Sequence, residues 1–264
     1  MKLLALGDVV GQRAIALIER ELWKIRQTRG IGFVVCNGEN AAEIRGMRAV
    51  DGERLLAAGV DVITLGNHAF GQKDLYPVLE REKRIIRPVN FPPQTPGMGY
   101  TVAVAESGER VLCINVCGRA FMEAYASPFD TVEAVLKREA GTYDFAVLDI
   151  HAEATSEKYA LARWFDGKIR VIFGTHTHVT TADEQILPHG TGYQSDLGMC
   201  GPVGGILGTD ADAVIEKFRS LMPVRFTVAG GDVELHGTEF EILDGKVCKI
   251  ERLTFPGGGQ ARFQ

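Results

Sequence analysis

The stretch Val171-Ile172-Phe173-Gly174-Thr175-His176-Thr177-His178 joins a run of β-branched and aromatic residues to a polar segment with two imidazoles. The apolar run predicts a buried strand that ends at the glycine. Residues i and i+2 of an extended segment point the same way, so we expect His176 and His178 to face one point. Because imidazole is the commonest metal-ligating side chain, the stretch predicts a metal site at a strand end. The same unit, a strand followed by ligand-type residues, recurs along the chain.

Four other predicted strands end in the same way. They are residues 3–6 before Asp8, 33–36 before Glu39 and Asn40, 62–65 before Asn67 and His68, and 145–150 before His151. Apolar residues at helical spacing predict a helix up to about residue 29 after the first strand, and a shorter helix at 52–58 precedes the third. Alternating strands and helices favour a parallel sheet with right-handed crossovers. Ligand sites of such sheets gather outside the carboxyl ends of the strands.

Further elements are expected in the middle and at the end of the chain. Residues 100–105 and 110–116 predict a hairpin. Asp130 with Glu133 predicts a capping box for a helix to about residue 139, and Thr155 or Ser156 is expected to cap a helix to about residue 165. Segments 225–228, 233–242 and 247–253 predict an antiparallel meander. We expect a single domain over residues 1–254 and a disordered C-terminal tail at 255–264.

The composition argues against several classes of protein. The chain of 264 residues carries a net charge of −5, unlike proteins with a general nucleic-acid footprint. Its five cysteines are scattered through apolar runs, which indicates buried thiols rather than a disulfide framework. No apolar stretch approaches the ~18 residues of a membrane span, and the run at 1–6 is too short for a signal peptide. We therefore expect a cytoplasmic protein without membrane association. This composition is compatible with a small nucleotide substrate, with an RNA whose end is held by the metals, and with a homo-oligomer.

The residues that follow the strands form one candidate site: Asp8, Glu39, Asn40, Asn67, His68, His151, His176 and His178. They exceed the ligands of a single tetrahedral site, so two metals are expected. Oxygen and nitrogen ligands without thiolate suit Fe, Mn or Zn. Single members have other interpretations, since Asp8 alone is typical of a helix N-cap and Asn40 alone of a turn. A phosphate-binding loop at residues 7–11 is disfavoured because it lacks the G-x-G-x-x-G pattern. His189 and His236 are expected in solvated positions outside the site.

The motifs around these residues resemble those of the calcineurin-like metallophosphoesterases, and more narrowly their YmdB-like branch of bacterial 2′,3′-cyclic-nucleotide phosphodiesterases. The matching stretches are GDVVG at 7–11, NGENAA at 37–42, TLGNH at 64–68, HAEATSEK at 151–158, GTHTHV at 174–179 and DLGMCGP at 196–202. The chain departs from these patterns in three places. Val10 stands where the wider superfamily has histidine, and Glu39 stands where it has aspartate. Phe70-Gly71 stands where the branch is expected to have Trp-Asp.

The resemblance implies an α/β fold, a four-layer αββα sandwich of two mixed β-sheets flanked by helices. It also implies two metal ions, iron in the first place with manganese or zinc as alternatives, and a small nucleotide or phosphate-ester substrate. One ion would be held by Asp8, Asn40 and His178 and the other by Asn67, His151 and His176, with Glu39 as the bridge.

For the reaction, the resemblance implies that a hydroxide shared by the two metals opens a 2′,3′-cyclic phosphate to a monoester. His68 would protonate the departing ribose oxygen as general acid. Two alternatives stay open: a broader phosphomonoesterase or nucleotidase, and a regulatory RNA-associated protein that retains the metal site.

Overall fold

A computed structural model describes residues 1–43, 45–123 and 125–257 of the chain, and the backbone of residues 262 and 263. The α-helices are α1 (Gly11–Arg29), α2 (Ala49–Ala57), α3 (Tyr76–Arg81), α4 (Pro128–Arg138), α5 (Thr155–Trp164) and α6 (Ala211–Ser220). The strands are β1 (Lys2–Val10), β2 (Phe33–Asn40), β3 (Val62–Thr64), β4 (Ile85–Ile86), β5 (Tyr100–Val104), β6 (Arg110–Cys117), β7 (Phe145–His151), β8 (Val171–Thr175), β9 (Gln185–Ile186), β10 (Gly192–Gln194), β11 (Met199–Pro202), β12 (Val233–Leu243), β13 (Lys246–Pro256) and β14 (Arg262–Phe263).

These strands form two mixed sheets. The first has the order β14-β13-β12-β11-β1-β2-β3-β4, with parallel pairing from β11 through β1 to β4 and antiparallel pairing among β12, β13 and β14. The second has the order β5-β6-β7-β8-β10-β9, with parallel pairing in the middle and an antiparallel strand at each edge. Parallel neighbours end at the same edge, so each sheet collects several carboxyl ends there.

The alternation of side chains along β1 shows how the layers stack. Leu3 and Ala5 belong to a core that also contains Val111 and Val147 of the second sheet, so this face packs sheet on sheet. Leu4 and Leu6 belong to a second core shared with the apolar face of α1. A third core joins the outer face of the second sheet to α4 and α5. The predicted four-layer αββα sandwich is confirmed.

Most predicted elements are present, with several corrected. The 225–228 strand is wrong: only Val228 makes an isolated bridge, to Thr209. Ser127, rather than Asp130, caps α4, because its side chain accepts a hydrogen bond from the Asp130 amide. Neither Thr155 nor Ser156 is the N-cap of α5, which follows Ala154. The segments 233–242 and 247–253 do form an antiparallel pair, but β12 also pairs with β1 and so belongs to the first sheet.

The predicted boundary at residue 254 needs correction as well. β13 continues through Pro256, and Phe255 is buried opposite Leu235. The backbone of residues 262 and 263 pairs with β13 as β14. Residues 258–261 and 264 of the expected disordered tail lie outside the described residues, and the single-domain organisation stays a prediction. No helix in the described ranges is long and apolar enough to cross a membrane.

Candidate metal centre

The carboxyl ends of strands from both sheets meet at one edge of the sandwich. Asp8 lies near the end of β1, and Glu39 and Asn40 end β2. His151 is the last residue of β7. The turns after β3 and β8 carry the other members of the set: Asn67, His68, His176 and His178. The contacts given below bring all the predicted site residues together.

Asp8, Asn40 and His178 form the first group of ligand-type side chains. Nε2 of His178 lies 3.8 Å from Oδ1 of Asp8 and 3.1 Å from the carboxamide nitrogen of Asn40. Asp8 is fully buried, and its Oδ1 makes no hydrogen bond within the described part of the chain. The oxygen and nitrogen of a carboxamide exchange places on a half-turn, so Asn40 can present its oxygen to the same point. A cation there would satisfy the orphaned Asp8 oxygen.

Asn67, His151 and His176 form the second group, and Glu39 stands between the two. Nε2 of His151 lies 3.0 Å from Oδ1 of Asn67 and 3.1 Å from Nδ1 of His176. Oε1 of Glu39 is 3.0 Å from the same His151 nitrogen. This oxygen is also 3.3 Å from the carboxamide nitrogen of Asn40 in the first group.

The histidines of the turn after β8 have their outer ring nitrogens bonded to acceptors. Nδ1 of His178 is 3.0 Å from the carbonyl oxygen of Leu207, and Nε2 of His176 is 3.2 Å from Oε2 of Glu153. A carbonyl or carboxylate oxygen only accepts, so the outer nitrogen carries the hydrogen. The inner nitrogen of each neutral ring then presents its lone pair to the centre, as metal-ligating histidines do.

His151 is oriented by a buried chain of hydrogen bonds that the sequence analysis missed. Its Nδ1 lies 2.9 Å from Oγ1 of Thr175, and this hydroxyl donates to Oδ1 of Asp149 at 2.8 Å. Thr175 has only one hydrogen, which Asp149 takes, so the ring must donate to the hydroxyl. Asp149 also accepts from Thr64 at 2.5 Å and from Asn37 at 3.2 Å. In the sequence, Asp149 could have been identified because it is an acidic residue inside the otherwise apolar segment 145–150.

The turn after β8 does not have the extended geometry that the sequence suggested. His176 and His178 have φ of 101° and 64°, in the left-handed region that is costly for residues other than glycine. The prediction that an extended segment aims both imidazoles at one point is therefore wrong. His176 lies against His151, whereas His178 lies against Asp8 and Asn40. The backbone N–H of His176 is fixed by Oδ2 of Asp8 at 3.0 Å.

The fully buried ion pair of Lys158 and Asp196 supports the backbone of the same turn. Nζ of Lys158 donates to Oδ2 of Asp196 at 2.8 Å and to the carbonyl oxygen of Thr175 at 2.9 Å. The N–H of Thr177 donates to the same Asp196 oxygen at 3.1 Å. Both charged residues belong to the stretches that carry the resemblance, but the sequence assigned them no role.

Electrostatics at the centre favour a positive charge. Burial raises the pKa of Asp8 to about 6 despite the nearby His178 and His151. Burial opposes the charges of Glu39 and His151 too, but their mutual attraction outweighs it and brings the pKa of Glu39 to about 2 and that of His151 to about 9. Burial and the neighbouring His151 lower the pKa of His176 to about 4. The carboxylates thus hold a proton on His151 at neutral pH, in a place where a metal ion would supply the positive charge instead.

His68 lies beside the two groups rather than within them. It lines a cavity of about 230 Å³ together with Arg45, Glu39 and His178. Its backbone N–H donates to Oε2 of Glu39 at 3.0 Å, which fixes its position relative to both groups. Burial lowers its pKa, against the opposing effect of Glu39.

The departure at Phe70-Gly71 has a structural explanation. A Cβ on Gly71 would lie 3.0 Å from the backbone of Gly46 and 3.1 Å from the carbonyl oxygen of His68. A larger residue at position 71 would therefore have to push these two turns apart by a few tenths of an ångström in this chain. Phe70 packs against Tyr76 and Phe91, with ring centroids 5.6 Å and 5.9 Å away.

The remaining histidines lie outside the centre. His189 is exposed and contacts Asp166, which agrees with the prediction. His236 is only partly exposed and hydrogen-bonds Thr180 and Glu234, so the expectation of a solvated side chain is corrected.

An αββα sandwich whose two sheets join imidazoles, carboxylates and carboxamides at one edge agrees with the resemblance of the sequence motifs to the metallophosphoesterases. The model of the YmdB-like protein family matches residues 4–253, and the chain belongs to this family. It is 40% identical over 255 residues to the 2′,3′-cyclic-nucleotide 2′-phosphodiesterase of Bacillus subtilis (strain 168), with 96% of each chain covered.

Two solved structures resemble the whole chain. A hypothetical protein from Thermus thermophilus superposes with a TM-score of 0.91 at 38% identity, covering 97% of this chain and 99% of that one. A Mycoplasma pneumoniae protein described as a novel phosphatase superposes with a TM-score of 0.90 at 32% identity, covering 97% of this chain and 93% of that one.

Proposed function

We propose that this chain is a dinuclear-metal phosphodiesterase that opens 2′,3′-cyclic nucleotides, such as 2′,3′-cyclic AMP, to nucleoside monophosphates. Family membership and the activity named for the Bacillus subtilis relative support its place among the phosphoric diester hydrolases. The observation that carries the two-metal proposal is that the inner nitrogens of His151 and His178 face the carboxylates of Glu39 and Asp8, while His176 joins Glu39 and His151 in one cluster of ligand-type atoms.

The donor set suits two cations that share one carboxylate. Asp8, Asn40 and His178 would hold one ion, and Asn67, His151 and His176 the other. Glu39 would bridge, because one of its oxygens contacts a member of each group. We propose iron first, with manganese or zinc as alternatives, since oxygen and nitrogen donors without thiolate suit all three. Two such cations supply a nucleophile at neutral pH and neutralise the charge of an in-line displacement at phosphorus.

The chain's own side chains would bind the ester and move the proton. Arg45 lines the cavity and offers a guanidinium for the phosphate oxygens. His68 faces the same space and would donate its proton to the ribose oxygen as the bond from this oxygen to phosphorus breaks. The proton ends on the freed hydroxyl, and the phosphate stays on the other ribose oxygen as a monoester.

The test couples elemental analysis to a substrate panel. Protein purified with its metal is assayed on 2′,3′-cyclic AMP, 5′-AMP and an aryl phosphate, beside Glu39→Gln and the surface control His189→Gln. We expect about two metal ions per chain and preferred turnover of the cyclic diester. We further expect Glu39→Gln to lose both ions and more than about 100-fold in activity, while the control keeps both. Full metal retention by Glu39→Gln would contradict the bridging role.

A general phosphomonoesterase or nucleotidase is the second candidate, because the Mycoplasma pneumoniae relative is described as a phosphatase. Faster turnover of 5′-AMP and the aryl phosphate than of the cyclic diester would favour it. Full metal occupancy without turnover of any of the three esters would instead favour a regulatory, RNA-associated protein that retains its metals.

A further inference from the structure

A second cavity lies between the segment 87–100 and α4. Its volume is about 410 Å³, within the range of small-molecule sites. None of its lining residues belongs to the cavity of the metal centre. Two arginines, Arg87 and Arg138, contribute to its wall, and most of the remaining wall is apolar, including Val89, Met98 and Val135.

Arg87 is a buried cation without an ionic partner. Its side chain is only 6% exposed. Nη1 donates to the carbonyl oxygen of Pro88 at 2.8 Å and Nε to that of Pro96 at 3.4 Å, but Nη2 makes no hydrogen bond within the described ranges. No carboxylate of the described residues lies within ion-pair distance of the guanidinium, and the acid that influences it, Glu80, accepts from the Gly97 amide. Burying a charge is costly unless a counter-charge accompanies it.

The other polar groups of this wall are already engaged. The Asn90 carboxamide donates to the carbonyl oxygens of Cys117 and Ala126 and accepts from the Cys117 amide. The Tyr100 hydroxyl donates to Glu139 at 3.0 Å. Arg138 is exposed on the last turn of α4, where it interacts with Tyr100 and Glu139. Unused hydrogen-bonding capacity therefore remains on the two arginines, and both attract negative charge.

We propose that this cavity, the Arg87 cavity, binds a small organic anion. Its acidic head, a carboxylate or a phosphate-type group, pairs with Nη2 of Arg87 and with Arg138, and its apolar body fills the space beside Met98 and Val135. A purely structural role for Arg87 accounts for its bonds to Pro88 and Pro96. Such a role leaves Nη2, the second arginine and the open volume without explanation.

Calorimetric titration of the metal-loaded protein with three probes tests this proposal. The probes are 3-phenylpropionate, phenylphosphonate and the neutral 3-phenylpropanol. We expect at least one acidic probe to bind about tenfold or more tightly than the alcohol, because a charge-assisted pair with arginine is lost in the alcohol. The comparison of carboxylate with phosphonate identifies the head group.

Three variants locate the binding. Arg138→Gln should weaken the acidic probe about tenfold. Ala134→Phe should abolish binding, because residue 134 is exposed on α4 yet lines the cavity, so a large side chain fills the space without entering the core. Lys137→Gln, an exposed neighbour that does not line the cavity, should leave the affinity unchanged. Absence of binding by every probe, or full binding by a folded Ala134→Phe, would overturn the proposal.

Discussion

His68 differs from the other imidazoles of the centre in its contacts. The inner nitrogens of His151, His176 and His178 face carboxylates, carboxamides or one another. The ring nitrogens of His68, in contrast, have one hydrogen-bond-distance neighbour among the described residues, the Asn67 amide nitrogen at 3.4 Å, while its backbone N–H donates to Glu39. A ring that is held in place by its backbone, and whose nitrogens face neither Asp8 nor Glu39, suits proton transfer better than metal binding.

We therefore predict that His68→Gln retains both metals and loses about 100-fold or more of its turnover on 2′,3′-cyclic AMP, since general acid catalysis contributes on this scale. The loss of turnover should be smaller on bis(p-nitrophenyl) phosphate, whose leaving group needs no proton. Steady-state kinetics with both substrates, together with metal analysis, measures this difference. His189→Gln is the matched control. Equal losses on both substrates, or none, would contradict the acid role.

At the scale of elements, α5 supports the turn after β8 through Lys158. This residue reaches from the helix to Asp196 and to the carbonyl oxygen of Thr175, and the pair is fully buried. The turn itself contains two residues with positive φ, His176 and His178. A backbone strained in this way persists only where its surroundings hold it.

We predict that Lys158→Met lowers the free energy of unfolding by about 3 kcal/mol, because it leaves the Asp196 carboxylate buried without its partner. It should also weaken metal binding, as the turn is released. Denaturant unfolding and metal titration report the two effects. Lys24→Met, at an exposed position of α1, is the control for the same substitution. A destabilised variant with unchanged metal affinity would show that the ion pair does not position the turn.

The strands and the ligand-type residues at their ends could be predicted from the sequence because both depend on local patterns. The apolar run at residues 33–36 and the polar run after it identify a strand and its end without knowledge of its neighbours. The pairing of Lys158 with Asp196 and the Asp149–Thr175–His151 chain join residues distant in sequence, which no local pattern reveals. The strand that was wrongly predicted at 225–228 has the same cause. Alternation of apolar and polar residues identifies a segment that suits a strand, but the tertiary structure decides whether a sheet edge is available to pair with it.

For the whole molecule, the centre exists only where the two sheets are packed together. Asn67 follows a strand of the first sheet, whereas His151 ends one strand of the second sheet and His176 follows another. The side chains of Asn67 and His176 both contact Nε2 of His151. Glu39 likewise reaches from the first sheet to His151. An ion held by both sheets would bind the folded state and not the separated sheets, so its binding would be linked to global folding.

Removal of the metals should therefore lower the melting temperature of the entire chain in one transition. With ions at about a thousandfold excess over their dissociation constants, the linkage is worth about 4 kcal/mol, or roughly 10 °C for a chain of this size. Calorimetry before and after dialysis against a chelator measures the shift, and re-addition of metal should restore it. Glu39→Gln serves as the comparison, because a variant that has already lost its ions should melt at the same temperature with or without chelator. An equal shift in that variant would mean that the chelator acts elsewhere, and no shift in the parent chain would mean that the sheets do not share the ions.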